Sequence, residues 1–409
     1  MVPKGWITKA LELTGVKVID GDRGKEYPKA SDFSGDGYCL FLSAKNVTKY
    51  GFQFNELQFI DAEKDKKLRK GRVKRSNIVL TTRGSVGHFA YYDASVPYDV
   101  MRINSGMVIL DADESDLEPN FLYALCRSFI VQKQIEAASF GSAQPQLTVG
   151  IVKGLKLPIP TLVEQKKIAQ ILSTWDKAIS VTEKLLTNSQ LQKKALMQQL
   201  LTGKKRLLNE NGGRFIGEWC TCTLSEVAHI IMGSSPKSEA YNDNGLGLPL
   251  IQGNADIKCR VSCPRVYTSD ITKECSPGDI LLSVRAPVGT VALSQHKACI
   301  GRGISAIKSK RKMSQSFLYQ WFLWFEPKWC YLSQGSTFES INSDDIKTLK
   351  LSVPNFEEQQ KIATVLSAAD DEIATLEKKL ACLKDEKKAL MQQLLTGKRR
   401  VKIDEAVAA

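Results

Sequence analysis

The chain repeats itself. Residues Pro160–Arg206 align without a gap on Pro354–Arg400 at a constant offset of 194, with 26 identities in 47 positions. Twelve are consecutive, the run KKALMQQLLTGK standing at Lys193–Lys204 and again at Lys387–Lys398. Chance does not produce such a match, and an internal duplication decides the layout before any residue is read for chemistry. The stretches before each copy are related more distantly. Trp6-x-Thr8-x-x-Leu11 answers to Trp219-x-Thr221-x-x-Leu224 at an offset of 213, and Leu42-x3-Asn46 to Leu250-x3-Asn254 at 208. Ile78-x-Leu80-x-x-Arg83-x-x-Val86-Gly87 answers to Ile280-x-Leu282-x-x-Arg285-x-x-Val288-Gly289 at 202, and Phe121-Leu122-Tyr123 to Phe317-Leu318-Tyr319 at 196. The anchors keep their order and the offset only shrinks, as expected of two homologous domains that differ by loop insertions in the first. The expected division is a variable domain over 1–158, a repeated segment over 159–207, a second variable domain over 208–352 and the second repeated segment over 353–409.

Each repeated segment reads as one long helix. At alternating spacings of four and three the second copy gives Ile362, Leu366, Ala369, Ile373, Leu376, Leu380, Leu383, Lys387, Leu390 and Leu394, a sustained heptad seam. The first copy has the same seam, interrupted at Thr182, Ser189 and Lys193. Pro160 and Pro354 stand just before the helices, and Gly203 and Gly397 are their stops. About 38 residues at 1.5 Å each make a rod of roughly 57 Å. An amphipathic rod does not stay alone in water, so the two are expected to pair antiparallel as a coiled coil. The alternative is that they serve only as core or as a dimerisation device. Polar positions repeat as well: Glu164-Gln165 with Glu358-Gln359, Gln198-Gln199 with Gln392-Gln393, and Lys204 with Lys398. Taken as repeated outer faces, these ten residues are the expected partner-binding positions, where one kind of partner docks twice.

The variable domains mix strand-like runs (Ile78–Thr82, Met107–Leu110, Ile280–Val284, Thr290–Leu293) with helical ones (Phe121–Ala138, Ser316–Phe325). The expected class is therefore α+β: two α/β domains, two long antiparallel helices and an internal pseudo-two-fold repeat. The net charge of +13 favours a polyanionic partner. Lys64–Arg75 holds eight cations, Lys66, Lys67, Arg69, Lys70, Arg72, Lys74 and Arg75 among them, and Lys308–Lys312 holds four in five residues, including Lys310, Arg311 and Lys312. Such runs suit a sequence-independent grip on phosphates, and equally a solvated loop. Arg83 and Arg285 each follow a strand and precede a Val-Gly turn, at the same place in both halves. A guanidinium there can fork onto a phosphate or a guanine edge, or brace the turn through an ion pair. The loops Ser142–Gln146 and Ser336–Ser340 hold equivalent positions with different sequences, so Gln144, Gln146, Ser336 and Thr337 are the expected readers of base edges. Trp321, Trp324 and Trp329 are read as core, with base stacking as the alternative.

Catalytic signatures are missing. No G-x-x-x-x-G-K-[ST] loop occurs, and the chain has no Pro-Pro, hence no amino-methyltransferase [DNS]-P-P-[YF] motif. His88, His229 and His296 share no metal spacing, and no general-base constellation is visible. Ten cysteines, seven of them between Cys220 and Cys330, are too few for a disulfide scaffold and include no C-x-x-C. No catalytic residue and no metal ligand is expected. No stretch approaches 18 apolar residues and the start lacks an apolar leader, so the expected location is the cytoplasm, away from the membrane.

Two unlike domains, each followed by the same long helix, resemble the specificity subunit of type I restriction-modification systems. The resemblance is carried by Pro160…Glu164-Gln165…Ile168-Ala169…Leu172…Asp176 with Lys194–Lys204, and by Pro354…Glu358-Gln359…Ile362-Ala363…Leu366…Asp370 with Lys388–Lys398. It spans essentially the whole chain. It implies a non-catalytic subunit in which each globular domain is a target-recognition domain for one half of an asymmetric bipartite site in double-stranded DNA. It further implies that the helices set the spacing and dock two methylation subunits, and that restriction subunits join these. No cofactor is expected on this chain; S-adenosylmethionine, ATP and Mg belong to the partner subunits. Two rivals come from other classes: a scaffold displaying two protein-binding domains, and an enzyme with a cysteine-bound metal around Cys220–Cys299.

Overall fold

The computed structural model describes residues 3–139, 146–329 and 340–402. The chain forms two compact units, one made of residues 1–182 with 379–409 and the other of 183–378. Each unit gathers one α/β domain with part of each long helix.

In the first unit a four-stranded antiparallel sheet runs in the order Lys17–Asp20, Met107–Asp111, Ile78–Thr81, Phe89–Tyr91. A second sheet runs Phe59–Ile60, Cys39–Leu42, Met101–Ile103, Arg72–Val73, and its central pair, Cys39–Leu42 with Met101–Ile103, is parallel. The ribbon Ile7–Ala10 with Lys156–Ile159 completes the layout, together with the hairpin Val47–Thr48 with Gly51–Phe52.

The second unit repeats this strand order, with one further strand, Tyr241–Asn242, at the edge of its second sheet. Ala228–Met232, Ile304–Ser309, Ile280–Ser283 and Val291–Leu293 take the same order. Val266–Thr268, Leu248–Ile251, Ala298–Ile300 and Glu274–Cys275 form the second sheet, again with a parallel central pair. Cys220–Thr223 pairs with Lys350–Val353 as the ribbon.

The central strands are apolar over their first three positions, Ile78–Leu80 and Ile280–Leu282, because they separate two cores. In the first unit Ile78 and Leu80 face one core while Val79 faces the other. In the second, Ile280 and Leu282 face one and Leu281 the other. Alternate side chains point to opposite faces of a strand, so burial on both faces gives an unbroken apolar run. Phe121, Leu122 and Ile135 close the larger core of the first unit, and Phe317, Trp321, Phe322 and Trp329 that of the second. Trp321 and Trp329 are thus core residues. Trp324 is half-buried; its indole Nε1 donates to Gln198 Oε1 at 3.1 Å.

Two sequence expectations need correction. The helical run Phe121–Ala138 is two helices, Pro119–Cys126 and Phe129–Ser139, because Ser128 Oγ turns back onto the Leu125 carbonyl at 2.6 Å. The anchor pairing Asn46 with Asn254 is misaligned by two residues. The hairpin Val47–Thr48/Gly51–Phe52 recurs as Ile257–Lys258/Val261–Ser262, so Asn46 answers to Asp256. Both side chains are buried and accept a backbone N–H at the head of the hairpin: Asn46 from Ser43 at 2.9 Å, Asp256 from Gln252 at 2.9 Å.

The long helices are Leu162–Leu200 and Phe356–Leu394, 39 residues each, or about 58 Å. Gly203 and Gly397 end them at φ values of +70° and +69°, a left-handed conformation in which a residue without Cβ is unstrained. Within each unit the helices run antiparallel. In the first, Glu164 meets Arg400 and Asp176 meets Lys387. In the second, Ser189 meets Glu372, Lys193 meets Asp370 and Arg206 meets Glu358. Thr182 and Ser189, the apparent interruptions of the seam, lie buried in it. Thr182 Oγ1 donates to the Ala178 carbonyl at 2.8 Å, which satisfies its hydroxyl within its own helix.

Candidate nucleic-acid interface and docking surfaces

The strands Ile78–Thr81 and Ile280–Ser283 end in the same turn. Gly87 N donates to the Thr81 carbonyl at 3.0 Å, and Gly289 N to that of Ser283 at 2.8 Å. Both glycines are left-handed, at φ +85° and +88°. A Cβ on Gly289 would stand 2.7 Å from the Trp329 side chain, and one on Gly87 would stand 3.0 Å from Ile135. The Val-Gly pair is therefore demanded by backbone conformation and by close approach to a helix. The turn leaves Arg83 and Arg285 exposed.

The neighbouring loop is tied to this place in both units. Leu147 N donates to the Thr82 carbonyl at 3.0 Å, and Ile341 N to that of Val284 at 2.9 Å. Gln146, with its amide oxygen facing the arginine, accepts from Arg83 Nε at 3.1 Å and Nη2 at 2.9 Å. Ser340, which occupies the equivalent position, forms a β-bridge with Arg285. Gln144, Ser336 and Thr337 lie outside the described residues.

A third turn meets the arginine. Thr82 N and Arg83 N donate to the Gly106 carbonyl at 2.8 and 3.2 Å, and Val284 N to that of Gly303 at 2.9 Å. Arg23 Nη2 donates to the Ser105 carbonyl of that turn at 3.2 Å. In the second unit the turn is Gly301-Arg302-Gly303, with Arg302 exposed. Each unit thus has two arginines at one end of its central sheet, Arg83 with Arg23 and Arg285 with Arg302. Sequence reading missed Arg23 and Arg302; the Gly-Arg-Gly spacing was the one signal for the latter.

The basic runs divide. Lys66, Lys67, Arg69, Lys70, Arg72, Lys74 and Arg75 are all exposed. Arg69 lies at the end that carries Arg23, because Asp22 accepts the backbone N–H groups of Gly24 and Arg69, both at 2.8 Å. The Gly24 bond first, with that of Arg69, holds the Asp22 carboxyl below its ordinary value. Lys74 and Arg75 precede the start of strand Ile78–Thr81, at its opposite end from Arg83. Arg75 is also committed locally: it bonds the Asp93 and Val96 carbonyls at 2.5 and 3.1 Å, pairs with Asp99 at 2.9 Å, and lies 4.1 Å over the Tyr92 ring. Arg72 reaches Tyr38 Oη at 3.3 Å and Asp65 at 3.6 Å.

Lys310, Arg311 and Lys312 follow the strand Ile304–Ser309, whose other end carries Gly303. Six residues of strand put about 20 Å between Lys310 and the Gly303 turn that meets Arg285. Lys310 Nζ is spent on the Ser225 carbonyl at 2.6 Å. The run Lys310–Lys312 and Arg285 therefore lie at opposite ends of the sheet.

The repeated helix positions separate in the same way. Gln198, Gln199, Lys204, Gln392, Gln393 and Lys398 are exposed. Glu164, Gln165, Glu358 and Gln359 are not outer-face residues; each is 2% exposed or less. Gln165 donates to the Pro160 carbonyl at 3.1 Å and accepts from Glu118 N at 2.9 Å. Gln359 donates to the Pro354 carbonyl at 2.9 Å and accepts from Ser314 N at 2.8 Å. Arg400 Nε donates to Glu164 at 2.6 Å, and Arg206 Nε to Glu358 at 2.6 Å. The Glu-Gln pair repeats because it pins each helix start inside its own unit.

Among the described residues no three His, Cys, Asp or Glu side chains gather to hold a metal, and no helix is long and apolar enough to cross a membrane. Burial, then the charge of Asp65, pushes the Cys39 thiol up to about 12.

The chain matches the family model for the type I restriction modification DNA specificity domain twice, over residues 5–191 and 216–385. It is 33% identical over 376 residues to a protein named as the specificity subunit of the MjaX type I restriction enzyme of Methanocaldococcus jannaschii, covering 88% of this chain and 86% of that one. It is 26% identical over 322 residues to the specificity subunit of the MjaVIII type I restriction enzyme of the same organism, covering 73% and 75%. Among solved structures, the S subunit of a type I restriction-modification system from M. genitalium shares the fold at a TM-score of 0.64 and 15% identity, over 98% of this chain and 97% of that one. A chain from a study of type I restriction-modification assembly and conformational transition matches at a TM-score of 0.59 and 25% identity, over 97% and 98%. With two matched domains that between them span most of its length, the chain belongs to the specificity-subunit family of type I restriction-modification systems, the DNA-recognition and not the catalytic component.

Proposed function

We propose that each unit reads one half of an asymmetric bipartite site in double-stranded DNA. The reading end is the sheet end that carries Arg83, Arg23 and Gln146 in the first unit, and Arg285, Arg302 and Ser340 in the second. The observation that carries this reading is the twofold recurrence of an exposed arginine locked between two turns and a loop of divergent sequence. A shared scaffold with variable polar tips is what unlike half-sites require: arginine forks suit guanine edges and phosphates, and the amide of Gln146 suits adenine. The loops over Ser142–Gln146 and Ser336–Ser340 supply further base contacts.

The long helices set the spacing of the halves. Half-sites read from one side of B-DNA lie about 34 Å apart, within the reach of a 58 Å helix. Exposed Gln198, Gln199, Lys204, Gln392, Gln393 and Lys398 dock two methylation subunits, one per repeat. Those subunits bring S-adenosylmethionine, and restriction subunits bring ATP and Mg. This chain brings recognition alone, in the cytoplasm, and base flipping for adenine methylation falls to the partner.

The test is methyl transfer to duplex DNA by the purified chain, by the methylation partner, and by both together. The expected result is sequence-specific adenine methylation by the mixture alone. Methyl transfer by this chain alone would refute the reading. Failure of the mixture to bind duplex DNA would favour a scaffold for protein partners.

A further inference from the structure

The two units share their strand orders, and one stretch sets them apart by a whole helix. Between Phe59–Ile60 and Arg72–Val73 the first unit has eleven residues, whereas between the equivalent strands Val266–Thr268 and Glu274–Cys275 the second has five. The additional residues form the helix Ala62–Lys67, capped by Asp61, and put Lys66, Lys67, Arg69 and Lys70 on the surface. Among the described residues Lys66, Lys67 and Lys70 have no ion-pair partner, and Arg69 has only Asp22 at 3.9 Å.

Under this segment lies Arg102, 5% exposed. Its Nε donates to Asp65 Oδ1 at 2.5 Å, its Nη1 to the Lys70 carbonyl at 2.9 Å, and its Nη2 to the carbonyls of Asp65 at 2.8 Å and Leu68 at 3.1 Å. One buried guanidinium thus draws three carbonyls of the segment inward. Among the described residues the second unit has no such group. Register places Cys299 where Arg102 stands, since Arg102 pairs with Arg72 and Phe41, and Cys299 with Glu274 and Leu250.

We propose that residues 61–71 are a pre-organised clamp for the phosphate backbone of duplex DNA, confined to the first unit, with Arg102 as the positioning residue that holds it in shape. The inference rests on the duplex-DNA reading above. Unpaired surface cations release counterions when they meet phosphates. A loop already folded from beneath loses little further conformational freedom on binding, so its cations act together. With Glu274 in the place of Arg72 and no insertion, the second unit lacks this grip. The halves of the site are held unequally, and the first unit supplies more of the salt-dependent affinity.

The experiment uses the full-length chain and a 24-base-pair duplex of arbitrary sequence, with binding followed by fluorescence anisotropy between 50 and 200 mM KCl. At about 0.9 of slope per phosphate, K66Q/K67Q/K70Q should flatten the plot of log K against log salt by about 2 to 3. R102M keeps every surface cation and should still flatten it by about 1 or more; a thermal melt monitors its fold. R102K, which keeps the buried charge and gives up the fork, should flatten it too and serves if R102M does not fold. The control K310Q/R311Q/K312Q should change the slope by less than about 0.5. Unchanged slopes in the K66Q/K67Q/K70Q and Arg102 variants, beside a wild type that binds, would overturn the clamp alone, as would a control that flattens the plot equally. A wild type with no salt-dependent binding would overturn the duplex reading and the clamp with it.

Discussion

Arg206 and Arg400 end the two repeats, and each closes on a glutamate that opens the other long helix. Glu358 and Glu164 have side chains 0% and 1% exposed, so each depends on its arginine for charge balance. Removing one partner of a buried pair costs about 3–5 kcal/mol because the remaining charge stays buried. R206A and R400A should each lower the unfolding free energy by that order in urea titrations; losses under about 1 kcal/mol would show that these carboxylates are not held as described. Lys387 makes the contrast. Burial pushes its ammonium below the ordinary lysine value, against the pull of Asp176, and Asp176 is itself 46% exposed. K387L should therefore be close to neutral, within about 1 kcal/mol, or stabilising. Asp22 supplies a pH test. Its folded-state value is lowered, so its contribution is complete above the ordinary carboxylate value of about 3.8 and is lost as pH falls through the lower folded value. Melting temperatures from pH 7 to pH 3 should fall less steeply for D22N than for wild type; parallel curves would contradict this. At this scale the sequence was half legible. The recurrence of Glu164-Gln165 at Glu358-Gln359 was visible, but heptad spacing does not show that a domain folds over the first turn of its helix. The clue was the matching recurrence of Arg206 at Arg400, two charges of opposite sign duplicated together.

Elements were more legible than their ends. The long helices, their glycine stops and the central strands stand where apolar spacing puts them, because burial on two faces or along a seam dictates residue type directly. The break at Arg127-Ser128 did not show, since a helix pair and one helix share the same apolar spacing. The misplaced Asn46 anchor has a similar cause: a short polar match fixes register only when the hairpin after it is known. That the basic run Lys308–Lys312 and Arg285 lie at opposite ends of the sheet did not show either, because charge in sequence carries no information on which end of a strand it occupies. If the helices set the spacing of the half-sites, removing one matching heptad from each, residues 180–186 and 374–380, withdraws about 10 Å. The recognised spacer should shorten by about three base pairs, or recognition should be lost. An unchanged spacer would show that the helices are not the ruler.

At the scale of the whole molecule, the duplication that opens the sequence reappears as two units with one strand order, one parallel pair and one strand-end turn. On the proposed reading, the likeness of the helices and the divergence of the domains have a single physical source: helix ends meet repeated partners, whereas reading tips meet different bases. The insertion with Arg102 shows where the halves have ceased to be equivalent. The account stands on modularity, and one measurement addresses it: replace residues 214–350 by the matching domain of another family member, express the chain with its methylation partner, and map the methylated adenines across the host genome. The account predicts a new bipartite motif in which one half is replaced while the other half and the spacer stay as in wild type. A motif altered in both halves would contradict it.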